Sequence, residues 1–176
     1  MKVPAGSSIR SLLCTHLGVT EEYVANGIQT VLLDGRPVDD LDAAAPMEGS
    51  RLGLSAAMPG LAGAMVRRGS GLAALRESIT HKAGETWCRG GTVTVEVRLY
   101  NLVMRDLGPL LLSQVIEISQ SRFHEFLKRQ HQSFWEGVRS VVRDGACLDV
   151  LALARGDVAA SRGVRLRVIS GPEESA

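Results

Sequence analysis

The residue types best suited to chemistry fall in a few places along this chain. His124 and Glu125 open like the helical zinc-peptidase motif H-E-x-x-H, in which two imidazoles one turn apart grip the metal. Lys128 stands where the second histidine belongs, and His131 lies beyond it, so that reading fails and the two histidines serve as polar flanks of an amphipathic segment. His81 and Cys88, with Glu85 between them, have the makings of a metal site or of a thiol nucleophile with its base. An ordinary thiol and a surface histidine account for them better. Arg67-Arg68-Gly69-Ser70-Gly71 places two cations and permissive backbone just before a predicted helix start, an arrangement able to hold an anion. It lacks the Lys-Ser/Thr ending of a phosphate loop and reads as a solvated connector. Asp34, Asp39, Asp40, Asp144 and Asp149 form carboxylate pairs that bracket turns, where such residues bond their own backbone. None of these groups stands alone as a catalytic or cofactor motif, and the expectation is a non-enzyme without cofactor or metal.

The chain that must position them has 176 residues, 20 Lys+Arg against 19 Asp+Glu, and 45% hydrophobic residues, the balance of a globular protein with a core. A net charge of +1 gives no bulk attraction to nucleic acid or anionic membranes. Cys14, Cys88 and Cys147 are odd in number and widely spaced, against a disulfide framework. Residues 1–13 carry Pro4, three serines and Arg10 where a secretory signal needs an apolar stretch, and Leu12-Leu13-Cys14 lacks that stretch as a lipoprotein box. The longest uncharged run, Leu52 to Val66, is too short to span a bilayer and contains Pro59. A cytoplasmic protein is expected.

An internal repeat organises the rest. Residues 27–41 (GIQTVLLDGRPVDDL) match residues 137–151 (GVRSVVRDGACLDVL) without a gap, with identities at Gly27/Gly137, Val31/Val141, Asp34/Asp144, Gly35/Gly145, Asp39/Asp149 and Leu41/Leu151. An apolar run ending in Asp-Gly and resuming at Val38 or Leu148 predicts a β-hairpin. A second alternating run follows each copy, at 50–55 and 164–170, and a helix precedes each. Ser7 and Ser8 cap the first helix, with Ile9, Leu12, Leu13 and Leu17 on one face and Gly18 as its stop; Ser119 or Ser121 opens the second, carrying Phe123, Phe126, Leu127 and Phe134.

Ahead of the second helix, Val93, Val95, Val97 and Leu99 alternate with polar residues as a half-buried strand does. Asp106-Leu107-Gly108-Pro109 predicts a turn and Leu112 to Ile118 another strand. The first copy has no counterpart of the opening strand, since Met1-Lys2-Val3 supplies only the end of the next one. Between the copies, a helix capped by Ser70 is predicted over Leu72 to Ile79, followed by a loop over 81–91.

Strand pair, helix, a hairpin of pattern V-x-x-D/N-G-x-x-V-D, and a closing strand introduced by Glu48-Gly49-Ser50 together resemble the ubiquitin-like β-grasp fold, closest to the small sulfur carriers of molybdopterin and thiamine biosynthesis. In the first copy the resemblance rests on Val3 to Leu13, on Val31 to Asp40, and on Glu48 to Leu52. The fold class implied is α+β, as two β-grasp units joined by an apolar connector with a short helix. Their bounds are 1–58 for an incomplete unit, 59–91 for the connector, 92–171 for a complete unit and 172–176 for a tail. Sulfur carriers act through a free terminal Gly-Gly, whereas Gly90-Gly91 is internal, so the resemblance implies carrier chemistry only after cleavage there.

The function expected from this reading is non-catalytic: binding another protein, or a second copy, through the sheet edge left open by the missing strand. Candidate binding residues lie on the connector, at Met58, Pro59, Leu61, Met65, Arg67 and Arg68. A sulfur-carrier relative and a small thiol or metal enzyme around His81 and Cys88 are the alternatives. The gap has four possible fillers: the connector, the second copy's residues, a twin molecule, or a segment upstream of Met1.

Overall fold

The computed structural model describes residues 1–76, 79–81, 90–155 and 163–171, and the architecture is α+β. Two compact units are present: Met1–Gln114 together with the segment from Val168 onward, and Val115–Arg167.

In the first unit β1 (Lys2–Pro4) leads into a helix, α1 (Ile9–Ser11), that widens into a π turn over Leu12–His16. Ser8 Oγ accepts from the Ser11 N–H at 3.1 Å, and Gly18 ends the turn at φ +71, both as the sequence predicts. The wide turn, closed by Leu17 N–H to Leu12 C=O, puts Leu12, Leu13 and Leu17 on the buried side with Ile9. A helix not anticipated, α2 (Glu21–Asn26), follows; its signal was Thr20, whose hydroxyl caps the Tyr23 N–H, with Glu21 and Glu22 in the first turn.

The predicted first hairpin forms as β2 (Thr30–Leu33) and β3 (Arg36–Pro37), and β4 (Arg51–Ser55) pairs antiparallel with β2. Asp34 and Gly35 both take positive φ, 52 and 83, the primed turn that Asp-Gly favours. The connector then forms α3 (Gly60–Val66) and a short 3₁₀ turn at Ala73–Arg76, where the sequence predicts a helix over 72–79; Glu77 and Ser78 lie outside the described residues.

The largest departure concerns residues 92–100. They form one run, β5 (Thr92–Thr94) and β6 (Glu96–Tyr100), and this run sits in the first unit. β5 pairs antiparallel with β1, Val3 opposite Val93, while β6 pairs parallel with β4, Leu52 opposite Val97. The switch falls between Val95, whose N–H donates to Met1 C=O at 2.8 Å, and Glu96, whose N–H donates to Ser50 C=O at 2.9 Å. Adjacent residues therefore bond to opposite sides, and the run lies between β1 and β4. The edge of β4 expected to stand open is thus covered from within the chain, by the residues expected to open the second copy.

Helix α4 (Asn101–Ser113) then runs through Gly108 and Pro109, where a turn is predicted. Val103 and Leu107 are buried, with Leu110 and Leu111 packed on the same core one turn further. Burying such residues yields about 1.5–3 kcal/mol each, which offsets the roughly 3 kcal/mol cost of an interior proline. The core joins one face of the sheet (Val31, Leu33, Leu52, Leu54, Val95) to α1, α2 and α4.

The second unit holds smaller pieces: β7 (Ile116–Ile118), α5 (Gln120–Lys128), α6 (Gln132–Glu136), β8 (Val141–Arg143), β9 (Ala146–Leu148), α7 (Val150–Arg155) and β10 (Val164–Leu166). The strand predicted over 112–118 shrinks to β7, because α4 keeps Leu112 and Ser113. The phenylalanine-bearing helix is two helices, with Ser119 capping the first and His131 the second. β7 pairs with β10, and β8 with β9, through a second turn with Asp144 at φ 51 and Gly145 at φ 84.

Candidate functional site

Three regions bear on function, and each follows from how its segment packs. The first is the connector. Arg68 is turned inward: its N–H donates to Gln29 C=O at 2.8 Å, and its guanidinium donates to the carbonyls of Val24 at 2.5 Å and Ile28 at 2.6 Å, at the C-terminal end of α2. That end carries the negative pole of the helix dipole, so a cation there is well placed. Burial lowers the affinity of Arg68 for its proton, with Arg10 nearby adding to the effect. Arg76, not singled out in the sequence, is fully buried; its guanidinium meets Asp39 at 2.6 Å, Thr80 Oγ1 at 3.0 Å and Arg67 C=O at 3.1 Å. The His81 N–H closes the segment on Pro37 C=O at 2.8 Å, covering the outer edge of β3. The connector is thereby strapped to the sheet, and the cation of Arg68 faces carbonyls instead of an external anion.

Met58, Pro59, Leu61 and Met65 lie at and along α3, with Leu61 74% exposed and Arg67 on the surface beside them. His81 is placed by its backbone; Cys88 lies outside the described residues, so the His81/Cys88 pairing has no geometry. Among the described residues no group of three His, Cys, Asp or Glu side chains could hold a metal. Cys14 is partly buried; burial and then Glu21 push its thiol up, away from a reactive thiolate. Glu21, bonded by Cys14 and then Arg10, is held below its usual range. His124 is on α5, and His131 is occupied as the cap accepting from Ser133 N–H. Gly90 and Gly91 take φ 103 and 85, and Gly91 C=O accepts from Ala5 N–H at 3.0 Å, so the only Gly-Gly is the turn that starts the central strand.

The second region is the sheet face turned away from the core. Thr30 and Leu32 of β2, Gly53 and Ser55 of β4, and Tyr100 of β6 alternate with the buried residues and share this face. With Met58 they line a cavity of about 260 Å³. Asn101, at φ 45, takes a left-handed conformation that asparagine tolerates. Its amide nitrogen donates to Ser55 Oγ at 2.9 Å and its oxygen accepts from Ala56 N–H at 3.0 Å, tying the end of β4 to the start of α4. The sequence reading named Met58 but none of the strand residues, which come from three distant segments.

The third is the second unit's surface. Of its described hydrophobic residues only Leu127 and Leu153 are buried, while Phe126, Phe134, Val142 and Leu151 are exposed at 45%, 39%, 61% and 61%. Phe126, Phe134 and Trp135 meet edge to face, at centroid distances of 5.6 and 5.1 Å. The hairpin β8–β9 has no third strand among the described residues. No described helix is long and apolar enough to cross a membrane. Compared with known proteins, the chain matches no family model, no curated protein and no solved structure.

Proposed function

We propose that this chain is a non-catalytic protein-binding or self-associating module whose docking surface lies in residues 115–167. One observation carries the reading: a unit with two buried hydrophobic side chains among its described residues leaves Phe126, Phe134, Val142 and Leu151 exposed, and its hairpin β8–β9 has no third strand among the described residues to pair its outer N–H and C=O groups. Such groups are stabilised by accepting another strand, and the apolar side chains by being covered. We read the first unit as a β-grasp in permuted order, with the strand that would open it placed after its closing strand; the order β3-β2-β4-β6 and the β1-β5 pair support this. The second unit repeats its order of strand, Ser-capped helix, short second helix and Asp-Gly hairpin (β7, α5, α6, β8–β9).

The test compares wild type with a Val142→Lys/Leu151→Lys double variant by light scattering and by hydrogen exchange. Wild type is expected to form a stoichiometric complex, with itself or a purified partner, that protects amides 141–148 and that the variant loses. A wild type that stays monomeric, with a binding profile the variant shares, would overturn the proposal.

A further inference from the structure

We propose that the cavity on the outer face of the first unit's sheet is a binding site for a small, flat, uncharged molecule bearing one carbonyl oxygen. Thr30, which lines it, is 0% exposed, and its Oγ1 has no hydrogen-bond partner among the described residues. A buried hydroxyl left so costs about 1–3 kcal/mol, a cost a ligand acceptor removes. Directly across the ladder from Thr30 stands Ser55, whose Oγ already accepts from Asn101 Nδ2 and so keeps its own O–H to donate. Two hydroxyl donors on facing residues suit an oxygen with two lone pairs. None of the lining residues is charged, and Arg98, across the ladder from Gly53 on the same face, is already paired with Glu96 at 3.0 Å, so a carboxylate would enter without a free counter-ion and a neutral carbonyl is favoured.

The remaining lining is apolar and shaped for a ring. Gly53 has no positive φ to explain it; a Cβ there would come to 3.4 Å from the Tyr100 ring and 3.5 Å from Leu32 Cβ, so glycine keeps the floor open between them. Tyr100 (46% exposed) and Met58 (38%) stand at the mouth as walls. An apolar cavity of about 150 Å³ holds benzene, so about 260 Å³ accommodates a ring with a carbonyl substituent. The site is independent of the docking role given to residues 115–167.

The experiment is a titration of the full chain with benzamide, benzoate and toluene, followed by amide chemical shifts. Benzamide is expected to give saturable shifts at Thr30, Gly53, Ser55 and Tyr100, with benzoate and toluene roughly tenfold weaker. Thr30→Val should weaken benzamide by a similar factor and leave toluene unchanged; Gly53→Val should remove both. Absence of saturable benzamide shifts, or shifts that persist in Gly53→Val, would overturn the site. Toluene binding as tightly as benzamide, or benzamide indifferent to Thr30→Val, would overturn the carbonyl assignment. Thr30→Val keeps the side-chain shape, so it remains informative if Gly53→Val fails to fold.

Discussion

Residues 27–41 and 137–151 carry the same turn in different company. Both place Asp-Gly at φ near 50 and 84, so the local backbone obeys the local sequence. Around the first copy, β4 pairs with β2 and Val31 is buried completely; around the second, β8 and β9 have no further strand among the described residues, and Val141, the counterpart of Val31, is only half-buried. The same residue also does different work in the two places. Asp34 accepts from Arg51 N–H at 2.7 Å and Ser50 Oγ at 3.0 Å, whereas Asp144, in the open, meets Arg143 at 3.6 Å among the described residues. Asp39 answers the buried Arg76, whereas Asp149 accepts from Leu151 N–H at the start of α7. Turn chemistry is thus a property of a few residues, while burial is a property of whatever strand arrives to cover them.

Matched substitutions measure that difference. Val31→Ala should cost about 2 kcal/mol of unfolding free energy, and Val141→Ala, half-buried, well under about 1 kcal/mol. Equal costs in denaturant melts would mean that the copies are equally packed. Next, Asp39→Asn removes the carboxylate paired with a fully buried guanidinium and should cost about 2 kcal/mol, discounted because Asp39 itself is partly exposed. Asp149→Asn should be nearly silent, since asparagine caps as well as aspartate. Asp34→Ala should cost about 1 kcal/mol and Asp144→Ala less than half as much, read as shifts in urea midpoint.

The smallest effect is one of pH and belongs to the first unit alone. The Tyr23 hydroxyl donates to Asp106 at 2.8 Å, and burial first, then this bond, push the phenol up to about 12 from 10. Between those values the unfolded chain loses the proton before the folded one does, so stability present below pH 10 should decline towards about pH 12. The bond also holds Asp106 below its usual range, so the same pair weakens in acid, as pH falls through the folded-state value. Tyr23→Phe should flatten the alkaline slope; an unchanged slope would show that the bond is not made in solution.

What could be read in advance divides along the same line. The Asp-Gly hairpins, the Ser8 cap, the stop at Gly18 and the alternation over 93–99 were legible, because each depends on neighbours in sequence. Alternation reports which face of a strand is buried and says nothing of which strand lies beside it, so residues 92–100 read as opening the copy they precede, though they complete the other. Gly108-Pro109 read as a turn because the burial of Val103 and Leu107, which carries α4 through it, depends on a sheet assembled from far away. Met58 was legible as an apolar connector residue. Thr30, Gly53, Ser55 and Tyr100 form one surface only after three strands are aligned, and Arg76 gave no signal apart from its charge.

Native-state hydrogen exchange of the Val95, Glu96 and Arg98 amides tests most directly whether the first sheet is built from both ends of its unit. If it is, these amides open with the same free energy as those of Val31, Leu33, Leu52 and Leu54, and more slowly than those of Val142 and Cys147. Exchange of 95–98 at the rate of residues 141–148, with 30–33 and 51–55 still protected, would contradict the account.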